Sequence, residues 1–464
     1  MMFKNLDEAL SYIRKKGIEE VDFKYTDIEG RWRHLTIPAR RASRMLFQKG
    51  EGIDTSSVKG FGSVEKADAV IVPDISSGFR DEGKEHQTVS FICTVRDCDT
   101  GTPIPCCSRS VAHRAEEYLH KSGVADLLLA SPEFEFHIVD DIGFSHSNYG
   151  ISFAVLSPES TSDSGRGLWI QRNGGYHSEE PFDALHWIRA EITKKLFTAG
   201  VEVKYHHHEA GGPSQVEIEV LFKPLLASAD DVEKGKYLIR TIAHRAGKVA
   251  IFLPKPLNSM SGNGMHVHMF LKKGKKDIFY DRRGPDGLSR IALHFIGGIL
   301  KHGAALTGLG CGSTNSFRRL LPGYEAPISL SYSPANRSAA IRIPEYAKGA
   351  SEKRIEFRIS DATANPYLLF SALLLAGMDG IQQRLDPGKP ARVDLFTSRS
   401  KAFVPIPHSL ADALHHLDGD RAFLRQGNVF DDSILDEWIR IKEDTIARVR
   451  ETVHPIEYEL YHDI

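Results

Sequence analysis

The segment SPEFEFHIV, residues 131–139, constrains this chain more than any other stretch. It reads as β-strand, with Glu133 and Glu135 alternating with Phe134 and Phe136. Side chains of a strand alternate between its faces, so the two phenylalanines share one face and the two glutamates the other. Adjacent carboxylates repel, and burial raises the cost. Either the acidic face is solvated or something cationic lies over it.

The pattern recurs. Glu217 and Glu219 share a face in QVEIEVLF, and His266 and His268 share one in GMHVHMFL. Arg354, Glu356 and Arg358 do so in KRIEFRIS, and Arg342 stands between isoleucines in AAIRIP. In YHHHEAGG, Glu209 follows three histidines. A solvated face of an antiparallel sheet accounts for any one of these pairs. Together they carry Glu, His and Arg without the Lys, Ser and Thr scatter of a surface. Divalent metal would supply the missing charge. Clustered carboxylates suit Mg²⁺ or Mn²⁺, and an imidazole among them admits Mn²⁺. Paired Cys/His spacing for a zinc finger is absent. The arginines point to a polyanionic substrate, since the guanidinium fork binds phosphate and carboxylate bidentately. Metals with arginines are the equipment of phosphoryl transfer. No G-x-x-x-x-G-K-[ST] loop occurs, so a nucleotide site must be of another kind.

The 464 residues are 41% hydrophobic and 26% charged, with a formal net charge of -2. That is globular composition, long enough for more than one domain, with no field that selects nucleic acid or a membrane. Cys93, Cys98, Cys106, Cys107 and Cys311 form no disulfide framework and suggest a reducing, cytoplasmic setting. The opening MMFKNLDEALSY lacks a signal-peptide core, and LLFSALLLAG is too short to span a bilayer.

A Gly/Pro/Thr-rich stretch, DCDTGTPIPCCSR, divides the chain, with domains expected at 1–105 and 106–464. The first holds a short helix, a hairpin turning at IEG, and strands DAVIVPD and VSFICTV. In the second, EPFDALHWIRAEITKKLFTAG sets Phe182, Leu185, Ile188, Ile192 and Leu196 at helical spacing, and DDVEKGKYLIRTIAHRAGKVA also reads as helix. Strands and helices alternate without βαβ rhythm, so the fold class is α+β.

The ordered motifs SPEFEF, HHEAGGPSQVE, GNGMHVH, RLLPGYEAP, ANRSAAIRIP and RIEFRISDATANPY resemble the type I glutamine synthetase family over nearly the whole chain. The resemblance implies a small N-terminal β-grasp-like domain and a large catalytic domain with a curved antiparallel sheet flanked by helices. It implies ligation of ammonia to the γ-carboxylate of glutamate, with ATP, through γ-glutamyl phosphate. Two or more Mg²⁺ or Mn²⁺ ions are implied per site. Glu135, Glu209 and Glu217 match ligands of the ion near glutamate. Glu133, His266 and Glu356 match ligands of the ion on the nucleotide phosphates. Arg319 and Arg358, with backbone at Gly262, match residues that hold glutamate. Arg337, Arg342 and Arg354 match those on ATP phosphates and the transferring group, and Phe222 and His268 those on the adenine side. Asp54, Ser57, Tyr176, Glu209 and Glu325 match the ammonium pocket, with Glu325 in a mobile flap. Asp54 would serve a neighbouring subunit, in a dodecamer of two stacked hexameric rings that HPIEYELYHDI helps to lock.

Departures stand beside the matches. Thr55 replaces a usual Gly, Ser261 a usual Asn, and Phe270 a usual Ser. VDLFTSRSKAF lacks the tyrosine that some bacterial members adenylylate. Other open readings are a γ-glutamyl ligase for an organic amine such as a polyamine or ethanolamine, and a non-catalytic scaffold. His206 and His207 are read either as a further metal cluster or as residues that orient neighbours or face solvent.

Overall fold

The computed structural model describes residues 3–62, 64–160, 168–393 and 403–461. The adenylylation segment expected around 393–403 and the last residues of the C-terminal tail lie largely outside these.

The first sheet contains β1 (Glu20–Thr26), β2 (Trp32–Pro38), β3 (Glu51–Asp54), β4 (Asp68–Pro73), β5 (Phe79–Arg80) and β6 (Thr88–Asp97). Its order is β2-β1-β6-β4-β3, with β5 on β6. β1 runs parallel to β6 and antiparallel to β2. The β1–β2 turn needs Gly30, whose φ is +79° and whose missing Cβ would lie 3.1 Å from Asn365 Cα. Helix α1 (Leu6–Lys15) buries Ala9, Leu10 and Ile13 on this sheet's own core of Phe23, Phe47 and Phe91.

The second sheet is larger. It uses β7 (Leu127–Val139), after which β8 (Asp141–Ser147) and β9 (Gly150–Leu156) form a separate exposed hairpin. It continues with β10 (Val203–His208), β11 (Gln215–Val220), β12 (Lys223–Pro224), β13 (Val249–Ile251), β14 (Val267–Lys273) and β15 (Lys276–Asp277). β16 (Ser329–Pro334), β17 (Ala339–Ile343), β18 (Ile355–Phe357) and β19 (Val404–Pro405) complete it. The order is β10-β11-β7-β14-β18-β17-β16-β19. The expected antiparallel pairing holds along this path except between β16 and β17, which run parallel with a left-handed Ala335 (φ 58°) in their connection.

Helices cover the apolar face. Phe134 and Phe136 of β7 enter the main core, and Gly235 of helix α2 (Leu225–Arg245) lies so close that a Cβ would stand 2.7 Å from the Phe134 ring. Helix α3 (Pro366–Gln383) is buried on all sides over most of its length. Asn365 starts it, with Oδ1 accepting from Tyr367 N and Leu368 N, and Pro366 fills the first turn. The two units meet through Arg109, which donates to Asp230 at 2.9 Å and to Asp74 at 2.8 Å. No helix among the described residues is long and apolar enough to cross a membrane.

Two expected elements shift. The helix of residues 186–198 begins only at His186, and Phe182 is half exposed before it. Asp183 pairs with Arg189 and accepts from Leu185 N, which sets the start. Leu185, Ile188, Ile192 and Leu196 are buried as the spacing predicted. The helix expected over 230–250 ends at Arg245, because Gly247 turns left-handed (φ 68°) and Val249–Ile251 pairs with β7.

Candidate active site

The acidic face of β7 is buried, so the solvated-face reading fails. Glu133 and Glu135 are 8% and 7% exposed. Register explains why acids collect here. Glu135 lies opposite Glu217 and Glu133 opposite Glu219. On the outer edge His207 lies opposite Glu217 and Tyr205 opposite Glu219. Across the sheet His268 faces Glu356, and Glu356 faces Arg342. Strand alternation thus lays the polar pairs side by side over one face, above a cavity of about 330 Å³.

Cations divide this lattice unequally. Glu356 accepts from Arg342 at 2.6 Å and also from Arg358. Burial opposes ionisation, but Arg358 and His268 hold its carboxyl down to about 2. Glu133 takes His266 Nδ1 at 2.9 Å and His268 Nε2 at 2.7 Å. Against its burial, these imidazoles keep it well below the usual carboxylate range. Glu209 and Glu217 have only His207, 3.6 Å and 3.5 Å away, and no such hydrogen bond among the described residues. Burial pushes both well above that range, and so do their acidic neighbours, Glu217 and Glu135 for Glu209, Glu133 and Glu135 foremost for Glu217. Glu209 Oε2 is buried with no hydrogen-bond partner among the described residues.

That orphaned oxygen tests whether a metal fits. A buried acid without a donor, beside two more acids, wants a cation rather than another hydrogen bond. His207, Glu209 and Glu217 bring ligand atoms within 4.8 Å of one another, as do Glu133, His266 and Glu356. His207 Nδ1 lies 3.0 Å from the carbonyl of His208, so that bond would leave Nε2, 3.5 Å from Glu217, with its lone pair for an ion. Glu135, expected with Glu209 and Glu217, lines the same cavity and accepts from Gly264 N at 2.6 Å through one of its oxygens.

The opposite wall is cationic. Arg319, Arg337, Arg342 and Arg358 all line the cavity. Arg319 Nη2 donates to the carbonyls of Arg358, Ile359 and Ser360, while its Nε and that of Arg342 are buried without partners among the described residues. Gly262 permits this packing, since a Cβ there would lie 2.1 Å from Pro254 O and 2.8 Å from Arg319 Cγ. Arg337 donates to Glu325 at 3.0 Å, with Glu209 and Tyr176 close beside it. Glu325 holds a left-handed backbone, φ 55°, a strained conformation for a side-chain-bearing residue.

Thirteen of the expected residues line the cavity: Glu133, Glu135, Tyr176, Glu209, Glu217, Gly262, His266, Arg319, Glu325, Arg337, Arg342, Glu356 and Arg358. Asp54 and Ser57 do not. They sit exposed in the first unit, where Asp54 accepts from Ser56 N and from the hydroxyls of Ser56 and Ser57. Phe222, His268 and Arg354 are not part of the lining either. His268 is fully buried between Glu133 and the Arg354 guanidinium, whose Nε is 3.4 Å from its Nδ1. Phe270 packs edge-on against Phe222 with ring centroids 5.1 Å apart. Ser261 lines the cavity, whereas Thr55 is buried with its hydroxyl satisfied by Ala67 O at 2.8 Å. Sequence reading missed Lys204, Tyr205, Gln215 and Tyr324 in the lining, and left Glu219 without a role. The Glu217/Glu219 pair was the available signal for the last.

Comparison with known proteins points to one family along the chain. The family model "Glutamine synthetase, beta-Grasp domain" matches residues 17–98, and "Glutamine synthetase, catalytic domain" matches residues 105–461. A glutamine synthetase of Azotobacter vinelandii is 39% identical, covering 99% of this chain and 100% of its own. A 3-hydroxylaminophenol mutase of Cupriavidus pinatubonensis is 37% identical over 100% of both chains. The structure of the Plasmodium falciparum glutamine synthetase superposes with a TM-score of 0.90 at 27% identity, covering 99% of each chain.

Proposed function

We infer the reaction from one premise: this chain belongs to the glutamine synthetase family, matched along nearly its whole length. We propose that it joins ammonia to the γ-carboxylate of glutamate at the expense of ATP. A glutamate γ-oxygen attacks the terminal phosphorus of ATP, and ADP leaves. Ammonia then attacks the acyl carbon of γ-glutamyl phosphate, and phosphate leaves with the bonding pair.

The observation that carries this reading is one cavity with unneutralised acids facing a wall of arginines. Divalent ions held by His207, Glu209 and Glu217, and by Glu133, His266 and Glu356, would supply charge neutralisation for the phosphates. Arg319 and Arg358 hold the glutamate carboxylates, with the Gly262 backbone beside them. Arg337 and Arg342 hold the phosphoryl oxygens that develop charge. Arg354 fixes His268, and His268 in turn fixes Glu133. Phe222 closes the nucleotide end. Ammonium must lose a proton before attack, and Glu325 and Glu209 stand at the end that Tyr176 lines. Folding the Glu325 loop over the cavity shields the acyl phosphate from water.

Asp54 and Ser57 complete this end from a neighbouring subunit, because their own chain leaves them exposed and away from its cavity. A dodecamer of two hexameric rings would meet that need, with the unit boundary at 105/106. An organic amine as acceptor is the second reading. Tyr176 and Tyr205, 48% and 40% exposed, give the open end an aromatic wall that suits a larger cation.

Phosphate release from ATP and glutamate, compared across ammonium, ethanolamine and putrescine, separates the two. The expected result is the highest specificity constant for ammonium, and a strongly raised ammonium KM in Asp54→Ala with ATP and glutamate KM nearly unchanged. A higher constant for either organic amine overturns the ammonia reading in favour of the second.

A further inference from the structure

Strand β10 is irregular where it borders the cavity. Val203 lies opposite Val220, and Tyr205 lies opposite Glu219. β10 therefore advances two residues while β11 advances one, and Lys204 is the extra residue of a β-bulge. A regular strand would send Lys204 and Tyr205 to opposite faces. The bulge re-aims the strand, and both side chains line the cavity.

The ammonium so delivered is held firmly. Lys204 Nζ lies 2.8 Å and 2.9 Å from the two carboxylate oxygens of Glu219. Glu219 is fully buried, and Tyr205 lies directly opposite it on the neighbouring strand. The Tyr205 ring centroid is 4.7 Å from the same ammonium. An ammonium has three N–H donors, so two go to Glu219 and one remains for a ligand. Glu219 stands opposite Glu133, not opposite the Glu135–Glu217 pair. Lys204 thus lines the cavity on the Glu133 side, with Arg342 on the far side of the sheet.

We propose that Lys204 is a further phosphate-binding residue of this site, a fixed cation that the bulge and Glu219 together aim at the polyphosphate of the nucleotide. The proposal rests on the ATP-dependent reading above. In it, the phosphate chain is gripped from both sides: by arginines on the β16–β18 side and by Lys204 on the β10 edge. Glu219 and Tyr205 are positioning residues that act through Lys204.

The test is equilibrium binding of β,γ-methylene-ATP and of AMP, each with Mg²⁺, to the full chain. Lys204→Met should weaken the triphosphate analogue by about tenfold or more and AMP by no more than about twofold. Lys204→Arg should recover part of the loss. Because Lys204→Met leaves Glu219 buried without its cation, Lys204→Met/Glu219→Gln is measured in parallel. That pair should regain thermal stability without regaining affinity for the triphosphate. An unchanged triphosphate affinity in folded Lys204→Met, or equal losses for AMP and triphosphate, overturns the role of Lys204 and leaves the ligase reading standing. Absence of any nucleotide binding by the unaltered chain overturns both.

Discussion

Asp22 and Asp81 in the first unit are as buried as Glu209 and Glu217 in the cavity, yet the two sets are treated oppositely. Asp22 accepts from Lys24 at 2.7 Å and from Thr36, and His34 Nδ1 lies 2.8 Å away. Asp81 accepts from Ser90 at 2.6 Å and Tyr237 at 3.0 Å, with Lys24 at 3.1 Å. The Lys24 ammonium also lies 4.3 Å from the Tyr237 ring centroid. Burial works to raise Asp22, but His34 and Lys24 outweigh it and hold its carboxyl far below the usual range. Glu209 has an oxygen with no hydrogen-bond partner among the described residues, and its carboxyl is driven up instead. Acids that the chain satisfies itself serve the fold. Glu209 and Glu217, buried against one another and against further acids where they line a cavity, leave a place for a cationic ligand.

Breaking the cavity side should have the largest effect on activity and little on the first unit. Glu356→Ala removes a ligand from the proposed metal group and frees Arg342 and Arg358 from their partner. Turnover should fall by about a thousandfold, the scale of losing one preorganised charge at a reacting centre. Near-normal turnover at saturating Mg²⁺ or Mn²⁺ would detach these acids from the chemistry.

Breaking the satisfied side should cost stability and spare the chemistry. Asp22→Ala leaves Lys24 buried with Asp81 as its remaining acid, so the loss should sit near the low end for a broken buried pair, about 3 kcal/mol. Urea unfolding measures it. A loss under about 0.5 kcal/mol would mean the network contributes nothing net.

A smaller, sharper contrast comes from pH. The Asp22 carboxyl is lowered on folding, so its stabilisation is present above about pH 4 and disappears as pH falls toward its folded value. Asp22→Asn should flatten the acid limb of the stability curve, while its neutral-pH stability drops. An unaltered acid limb would show that other groups govern acid unfolding.

Much of this contrast is visible in the sequence, and the reason is periodicity. Alternation in β7, β11 and β14 marked the shared faces of Glu133/Glu135, Glu217/Glu219 and His266/His268 without any tertiary information. What stayed hidden depends on partners distant in sequence or on a break in period. Lys204 reads as a residue of the wrong face until the bulge is seen. His207 sits in a run of histidines that alternation alone cannot rank, and only its bond to the His208 carbonyl and its approach to Glu217 single it out. Phe182 fits a helical spacing, but Asp183 is claimed by Arg189 and the helix starts later.

The most direct test of the central claim, that Glu209 and Glu217 are buried in wait for a divalent ion, is the thermal midpoint of metal-free chain with and without Mn²⁺ from about pH 5 to 8. Both carboxyls are raised on folding. Their contribution is therefore fully present below about pH 4.3 and is lost as pH rises through the folded values. Metal-free chain should lose stability from these groups across this range, and Mn²⁺ should restore it by binding the deprotonated ligands. The gap between the two curves should widen with pH and shrink in Glu209→Gln/Glu217→Gln. A gap that is absent, independent of pH, or unchanged in that variant would contradict the claim.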